Sequence, residues 1–269
     1  MSSSVPGDPA RVRREPPLFR RVEVRRVVGL GPRMTRITVG GPELEGFTVA
    51  EPAASVRLLF PDVPGASLVL PVWNGNEFLR ADGTRPTIRT FTPRRVDSDA
   101  REVDIEVVMH GAGPAAEWAQ AAEPGATAAL SGPGRGYTID PGASAFLLVG
   151  DESALPAISQ LLEALPPGAP THVIVEVVGA GARLPLGEPP ITTVEWHEVA
   201  ADAPPGDAMV DAVRSAELLD GVQVWAAGEA AAVQKIRRYL FDERAMPRTQ
   251  TTIRGYWKRG RAGVDGRSD

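Results

Sequence analysis

The chain has 269 residues, enough for two ordinary domains or one large one, and 43% of them are hydrophobic, as in a packed globular protein. It contains no cysteine, which excludes disulfides, zinc–thiolate sites and iron–sulfur clusters, so electrons can travel here only on an organic cofactor. A net charge of −5 argues against a general nucleic-acid binder, and His110, His172 and His197 lack the i, i+4 spacing that would grip a metal, so neither partner is expected.

In chain order, residues 1–15 read as a disordered start without the apolar core of a secretory signal. No later apolar run nears the roughly 20 residues of a membrane span. A cytoplasmic monomer is expected. Short, β-branched segments follow: "FRRVEVRRVV", "MTRITVGG", "SVRLLF", "TIRTFT" and "EVDIEVVMH". In the last of these Val103, Ile105 and Val107 alternate with Asp104 and Glu106. This suits an antiparallel barrel or sandwich over residues 16–140. Residues 61–86 are broken by proline and glycine and read as a long surface loop of the functional kind.

Near Pro141 the rhythm changes. "AFLLVG", "HVIVEVVG", "TTVEWHEV" and "VQVWAAG" alternate with the helix-like "SALPAISQLLEAL", "DAMVDAVRSAELL" and "AAAVQKIRRYLFDERA". Continuous apolar strands alternating with helices imply a parallel sheet covered on both faces, an α/β domain over residues 141–262. The expected fold is therefore a two-domain α+β chain, an antiparallel β-barrel followed by a nucleotide-binding-like α/β domain joined around "GPGRGYTIDPG".

Two motifs carry chemistry in the first half. "RPTIRTFTPRR" holds Arg85, Arg89, Arg94 and Arg95 and no acid, so it is poised for an anion. "HGAGPAAEWA" places Pro114 at the first turn of a helix, whose free N–H groups make a ready phosphate site. The competing role for that helix is to seal the barrel, with Trp118 in the core. If Arg89 projects towards the helix start, a dinucleotide's diphosphate meets a guanidinium on one side and amides on the other. Phe91 shares the face of Arg89 and is placed to lie against a cofactor ring, and Thr92 offers a hydroxyl.

The second half has no G-x-G-x-x-G. Asp151 and Glu152 in "VGDESALPAI" favour a helix dipole but repel a diphosphate, so a nicotinamide would visit rather than stay. By the switch-point rule it should lie near Gly150, Asp151, Glu152, Gly179, Gly228 and Glu229, although both acids could equally be helix caps. Arg183 is either a 2′-phosphate contact or a surface arginine. The stretch 237–261 is strongly basic, and Lys258 and Arg259 in "RGYWKRG" are placed to meet an anion.

Taken in order, "RTFT", "HGAGPAAEWA", "SGPG", "GDESALPAI" and "GYWKRG" resemble the siderophore-interacting protein family, flavin-dependent ferric-siderophore reductases of the ferredoxin-reductase-like superfamily. The resemblance runs from about Phe19 to Gly260. It implies FAD on the barrel, NAD(P)H as transient donor on the α/β domain, and a ferric siderophore as acceptor. Carried onto this chain, Arg89 holds the diphosphate, Phe91 packs on the flavin region, and Thr92 hydrogen-bonds near flavin N5 as the catalytic contact. His110, Gly111, Gly113, Ala115 and Ala116 wrap the diphosphate, with Trp118 alongside. Phe91 stands where the family usually has tyrosine and Ala116 where serine is expected, so one hydroxyl contact and one phosphate donor are missing. The implied activity is NAD(P)H-dependent reduction of a ferric siderophore with release of Fe(II). The alternatives are a flavin reductase or electron-donor reductase of the same superfamily, and a flavin- or siderophore-binding protein without turnover.

Overall fold

The computed structural model describes residues 18–63, 65–110, 113–187 and 191–260. The expected disorder of residues 1–15 and the site residue Gly111 both lie outside the described residues.

The first half is an antiparallel sheet rolled into a half-barrel. Its elements are β1 (Phe19–Gly31), β2 (Met34–Gly40), β3 (Val56–Leu59), a two-stranded hairpin of β4 (Val72–Trp73) and β5 (Phe78–Leu79), β6 (Ile88–Phe91), β7 (Pro93–Asp97), β8 (Glu102–Val108), helix α1 (Pro114–Ala121) and β9 (Thr127–Ser131). Seven strands share one sheet in the order β6-β3-β9-β1-β2-β8-β7. The ends, β6 and β7, do not pair with one another, so the sheet stays open where the chain turns at Thr92. Alternation explains its core: Val103, Ile105 and Val107 on β8 face inward with Ile37, Val39, Val22 and Val24.

The segment 61–86, expected to be irregular, carries the β4–β5 hairpin. Phe78 packs edge-on against Phe19 at 5.2 Å and tilts against Trp73 at 4.9 Å, and Leu68, Leu70 and Phe78 cover Leu59 and Ala129 on the sheet's outer face. Proline and glycine hid this hairpin because its strands are only two residues long.

The second half is parallel. It contains β10 (Ala145–Asp151), α2 (Leu155–Ala164), β11 (Thr171–Val178), β12 (Thr192–Val199), α3 (Asp207–Ser215), β13 (Val222–Glu229), α4 (Ala230–Arg238) and β14 (Thr251–Trp257). The strand order β12-β11-β10-β13-β14 places the switch point between β10 and β13. β10 and β13 are buried along their whole lengths, the reason they read as unbroken apolar runs.

The halves share an apolar core. Met34 and Ala53 from the barrel join Phe146, Leu148, Ile158, Leu161 and Trp225. Polar clasps surround it. Arg33 Nε, in the β1–β2 turn, donates to both oxygens of Glu152 at 2.8 and 3.0 Å. Gln160 on α2 accepts from the Ala53 amide at 2.9 Å and donates to the Pro93 carbonyl at 2.6 Å.

Candidate functional site

The four arginines of "RPTIRTFTPRR" have different fates. Arg85 pairs with Glu77 at 2.7 Å, Arg94 pairs with Glu163 on α2, and Arg95 is exposed. Arg89 is half-buried and finds no carboxylate among the described residues. Its guanidinium donates to the neighbouring Ile88 carbonyl at 2.8 Å, and burial pushes its pKa below the usual arginine value. A guanidinium that loses water without gaining an acid has the chemistry to suit an anion.

Register places the side chains around it. Phe91 pairs with Val56 and Arg89 with Leu58, both of which face the barrel core, so Arg89 and Phe91 share that face. Phe91 is half-buried against the core and keeps an open part. Thr92 is buried at the break between β6 and β7.

Helix α1 packs on the same core: Ala115 and Phe91 contact one cluster. Gly113 precedes it with φ of 107°, a conformation that favours glycine, and Pro114 opens the first turn. No side chain caps this helix start. The Glu117 carboxylate accepts from the Gly113 amide at 3.2 Å, which consumes one donor of the turn. Ala116 is buried, so only its backbone can serve a ligand, and His110 is exposed beside Gly113. Trp118, expected among the cofactor contacts, is a core residue: its ring stacks on Phe60 at 5.0 Å and is 5% exposed. The half-buried cation without an acid and the uncapped helix start fit a dinucleotide diphosphate in charge and donor type.

The carboxyl ends of β10 and β13, where a nicotinamide nucleotide is expected, carry a hydrogen-bond network centred on Asp151. Asp151 Oδ1 accepts from Ser153 N at 2.9 Å and Ser153 Oγ at 2.5 Å, while Oδ2 accepts from Glu229 N at 2.8 Å and Trp257 Nε1 at 2.7 Å. Burial outweighs these four donors and pushes its pKa above the usual carboxylate range. Glu152 holds Arg33 and accepts from the Val178 amide at 2.8 Å. Glu229 caps α4 through Ala231 N at 2.6 Å and Ala232 N at 3.0 Å. All three acids are therefore held by the protein's own donors: Asp151 and Glu229 cap the helical turns that follow them, while Glu152, for which capping was the open alternative, instead binds Arg33 and the Val178 amide. Gly150 and Gly228 are packing glycines: an added Cβ would lie 2.4 Å from Ala154 Cβ and 2.6 Å from Asp151 Oδ2, respectively. Arg183 is paired with Glu198 and serves the surface.

The basic end is likewise divided. Arg237 and Arg248 stack on Phe241, and Arg254 donates to the carbonyls of Ala53 at 3.0 Å, Arg135 at 3.1 Å and Gly136 at 2.6 Å. Composition marked Arg254 as one cation among many, and only the domain packing shows it to be a clasp. Lys258 and Arg259 remain exposed, with the Arg259 amide tied to Glu229 at 3.2 Å. Tyr256 is half-buried, packs on the shared core and meets the Trp225 ring edge-on at 6.3 Å.

Two family models match the chain, the siderophore-interacting FAD-binding domain over residues 23–137 and the siderophore-interacting protein over residues 143–260. An uncharacterized protein of Mycobacterium tuberculosis is 37% identical over 86% of this chain and 87% of its own length. The ferric vibriobactin reductase ViuB of Vibrio cholerae is 29% identical over 85% of each chain. A siderophore utilization protein from T. fusca superposes with a TM-score of 0.82 at 36% identity, covering 93% of this chain and 97% of that one. Phthalate dioxygenase reductase, at 13% identity and a TM-score of 0.58, shares the fold of this ferredoxin-reductase-like class. With both halves matched, the chain belongs to the siderophore-interacting protein family, with an FAD-binding half-barrel followed by a parallel α/β domain.

Proposed function

We propose that the protein is an NAD(P)H-dependent, FAD-containing ferric-siderophore reductase that releases Fe(II) in the cytoplasm. The observation that carries the reading is Arg89, half-buried without a carboxylate on the strand that packs beside an uncapped helix start. Arg89 and the first-turn amides of α1 would hold the diphosphate, Phe91 would flank the ring system, and Thr92 would offer its hydroxyl to it. FAD, when bound, takes two electrons as hydride and passes them on singly, so one hydride serves two Fe(III). Oxygen ligands that grip Fe(III) hold Fe(II) weakly, so reduction frees the metal and no acid–base pair is needed. Lys258 and Arg259 would draw an anionic ferric chelate to the mouth of the site.

One observation favours a second reading, a binder without turnover. Asp151, Glu152 and Glu229 occupy the amides that a donor's diphosphate would use. Anaerobic stopped-flow absorption separates the two. FAD-reconstituted protein should bleach on mixing with NADH or NADPH and recolour with a ferric siderophore. Absence of bleaching with either nucleotide would remove the reductase reading. Replacing Lys258 and Arg259 together by alanine should slow only the second step, and added salt should slow that step in the wild type, because charges are screened over about 10 Å at 0.1 M.

A further inference from the structure

Trp257 closes β14 at the carboxyl end of the parallel sheet, where it pairs with Glu229. It is 40% exposed and is the one exposed aromatic ring among the described residues. An exposed indole ordinarily keeps its single polar atom, the N–H, at its wet end. This one turns it inward. Nε1 donates to Asp151 Oδ2 at 2.7 Å, so the part left in water is apolar carbon. The acceptor is itself fixed: Asp151 Oδ2 also takes the Glu229 amide at 2.8 Å, and Oδ1 takes Ser153 N and Oγ. Beyond Trp257, the Arg259 amide donates to Glu229 Oε1 at 3.2 Å, so the chain is tied on both sides of Lys258. Lys258 and Arg259 are exposed and form no ion pair among the described residues.

We infer that Trp257 sets the substrate class: its face stacks on an aromatic ring of a catecholate ferric chelate and favours such chelates over hydroxamates. The inference rests on the reading that Lys258 and Arg259 meet the ferric chelate. An aromatic plate beside two unpaired cations is complementary to a ligand that is both aromatic and anionic. Asp151 and Glu229 behind the plate are buried and saturated with donors, so the charge presented to solvent is that of the cations. A ferric tris-catecholate carries aromatic rings on its surface and several negative charges, whereas the core of a ferric tris-hydroxamate is neutral and aliphatic. Only the first answers both features. A nicotinamide nucleotide is also aromatic and anionic, but its diphosphate needs free amides. Those of Glu229 and of the first turn of α4 are taken by Asp151 and Glu229. Holding the ring in advance spares its ordering on binding, which gives the Asp151 anchor its use.

The test is equilibrium binding of two gallium(III) complexes to oxidised, FAD-loaded protein. These complexes match the ferric ones in charge and shape but resist reduction; one is of enterobactin, a tris-catecholate, the other of desferrichrome, a tris-hydroxamate. Wild type should hold the first more tightly by about tenfold or more. Equal affinities would overturn the inference, and this comparison needs no variant to fold. Trp257→Leu should weaken the catecholate complex roughly two- to tenfold, the worth of one stacked pair, and leave the hydroxamate complex within about twofold. An equal loss for both would make Trp257 a structural residue, and a loss confined to NAD+ would assign its face to the nucleotide; either result overturns the inference. Asp151→Asn should also reduce catecholate affinity, with the double variant no weaker than Trp257→Leu by itself. Additive losses would overturn the anchor. Lys258→Ala with Arg259→Ala tests the underlying reading separately. If that variant binds both complexes like wild type while Trp257→Leu does not, the basic mouth lies elsewhere and the aromatic contact stands.

Discussion

Among the described residues, Arg89 is half-buried and Asp151 buried without an ion-pair partner, and each makes a measurable demand. Arg89 has given up water for one carbonyl, so a bound diphosphate should return what it lacks. Arg89→Ala should weaken FAD binding by about 1.5–3 kcal/mol, the range for a hydrogen bond to a charged group, or roughly ten- to a hundredfold in a calorimetric titration. Unchanged affinity would move the diphosphate elsewhere. Asp151 makes a demand on pH. Burial raises its pKa in the folded chain, so between the ordinary aspartate value of 3.8 and that raised value the folded state binds more protons than the unfolded one. Its contribution to stability is complete below 3.8 and is lost as pH rises through the raised value. Asp151→Asn should flatten that part of the pH–stability curve measured by denaturant unfolding. A curve with the same slope as wild type would mean that the four donors cancel the cost of burial.

Elements decide where these charges stand. The stretch around Arg89 reads as one strand but is two, because Pro93 cannot donate to a ladder and opens β7 instead, and the turn between β6 and β7 buries Thr92 at the open edge of the half-barrel. Only the folded chain shows that Arg85 and Arg94 are spent on Glu77 and Glu163, while Arg89, on the core-facing side of β6, meets no carboxylate among the described residues. Between the Gly228–Gly255 and Glu229–Trp257 pairs, where the β13–β14 register skips Tyr256, the tolerance for change should be small. Gly228 has φ of 152°, a region reserved for glycine, and a Cβ there would lie 2.6 Å from a carboxylate that four donors immobilise. Gly228→Ala should therefore destabilise by about 2 kcal/mol, seen as a melting temperature lower by roughly 5 °C. A shift below 1 °C would show that the Asp151 network yields easily.

At the scale of the whole molecule, the interface works as a frame for the site. Met34 and Ala53 enter the core of the α/β domain, Glu152 and Gln160 reach back to the barrel, and Arg254 ties three barrel-side carbonyls. Arg254→Ala leaves those carbonyls without their cationic donor where β14 meets the barrel-side segment. It should cost about 1–3 kcal/mol of stability and speed amide hydrogen exchange in residues 132–137 and β14 before the rest of the chain. Exchange that accelerates uniformly would mean that the two halves open as a single unit.

Local chemistry was enough for the outline. Alternation of period two, unbroken apolar runs and the change of rhythm near Pro141 report burial on one face or on two, so the antiparallel half and the parallel half were legible from composition along the chain. Arg89 and Pro114 were legible as candidates because a cation-rich strand and a proline at a helix start carry their chemistry in their own residues. Partnership was not legible. Trp118 could stack on a cofactor or on Phe60, Asp151 could cap a helix or meet a nucleotide, and Arg254 could hold an anion or three carbonyls. Each choice depends on residues tens to more than two hundred positions away, brought together only when the sheets close. The pairing of β14 is the clearest case: the letters "RGYW" are compatible with a regular strand, and the pairing to β13 together with a carboxylate from β10 sets Tyr256 out of register.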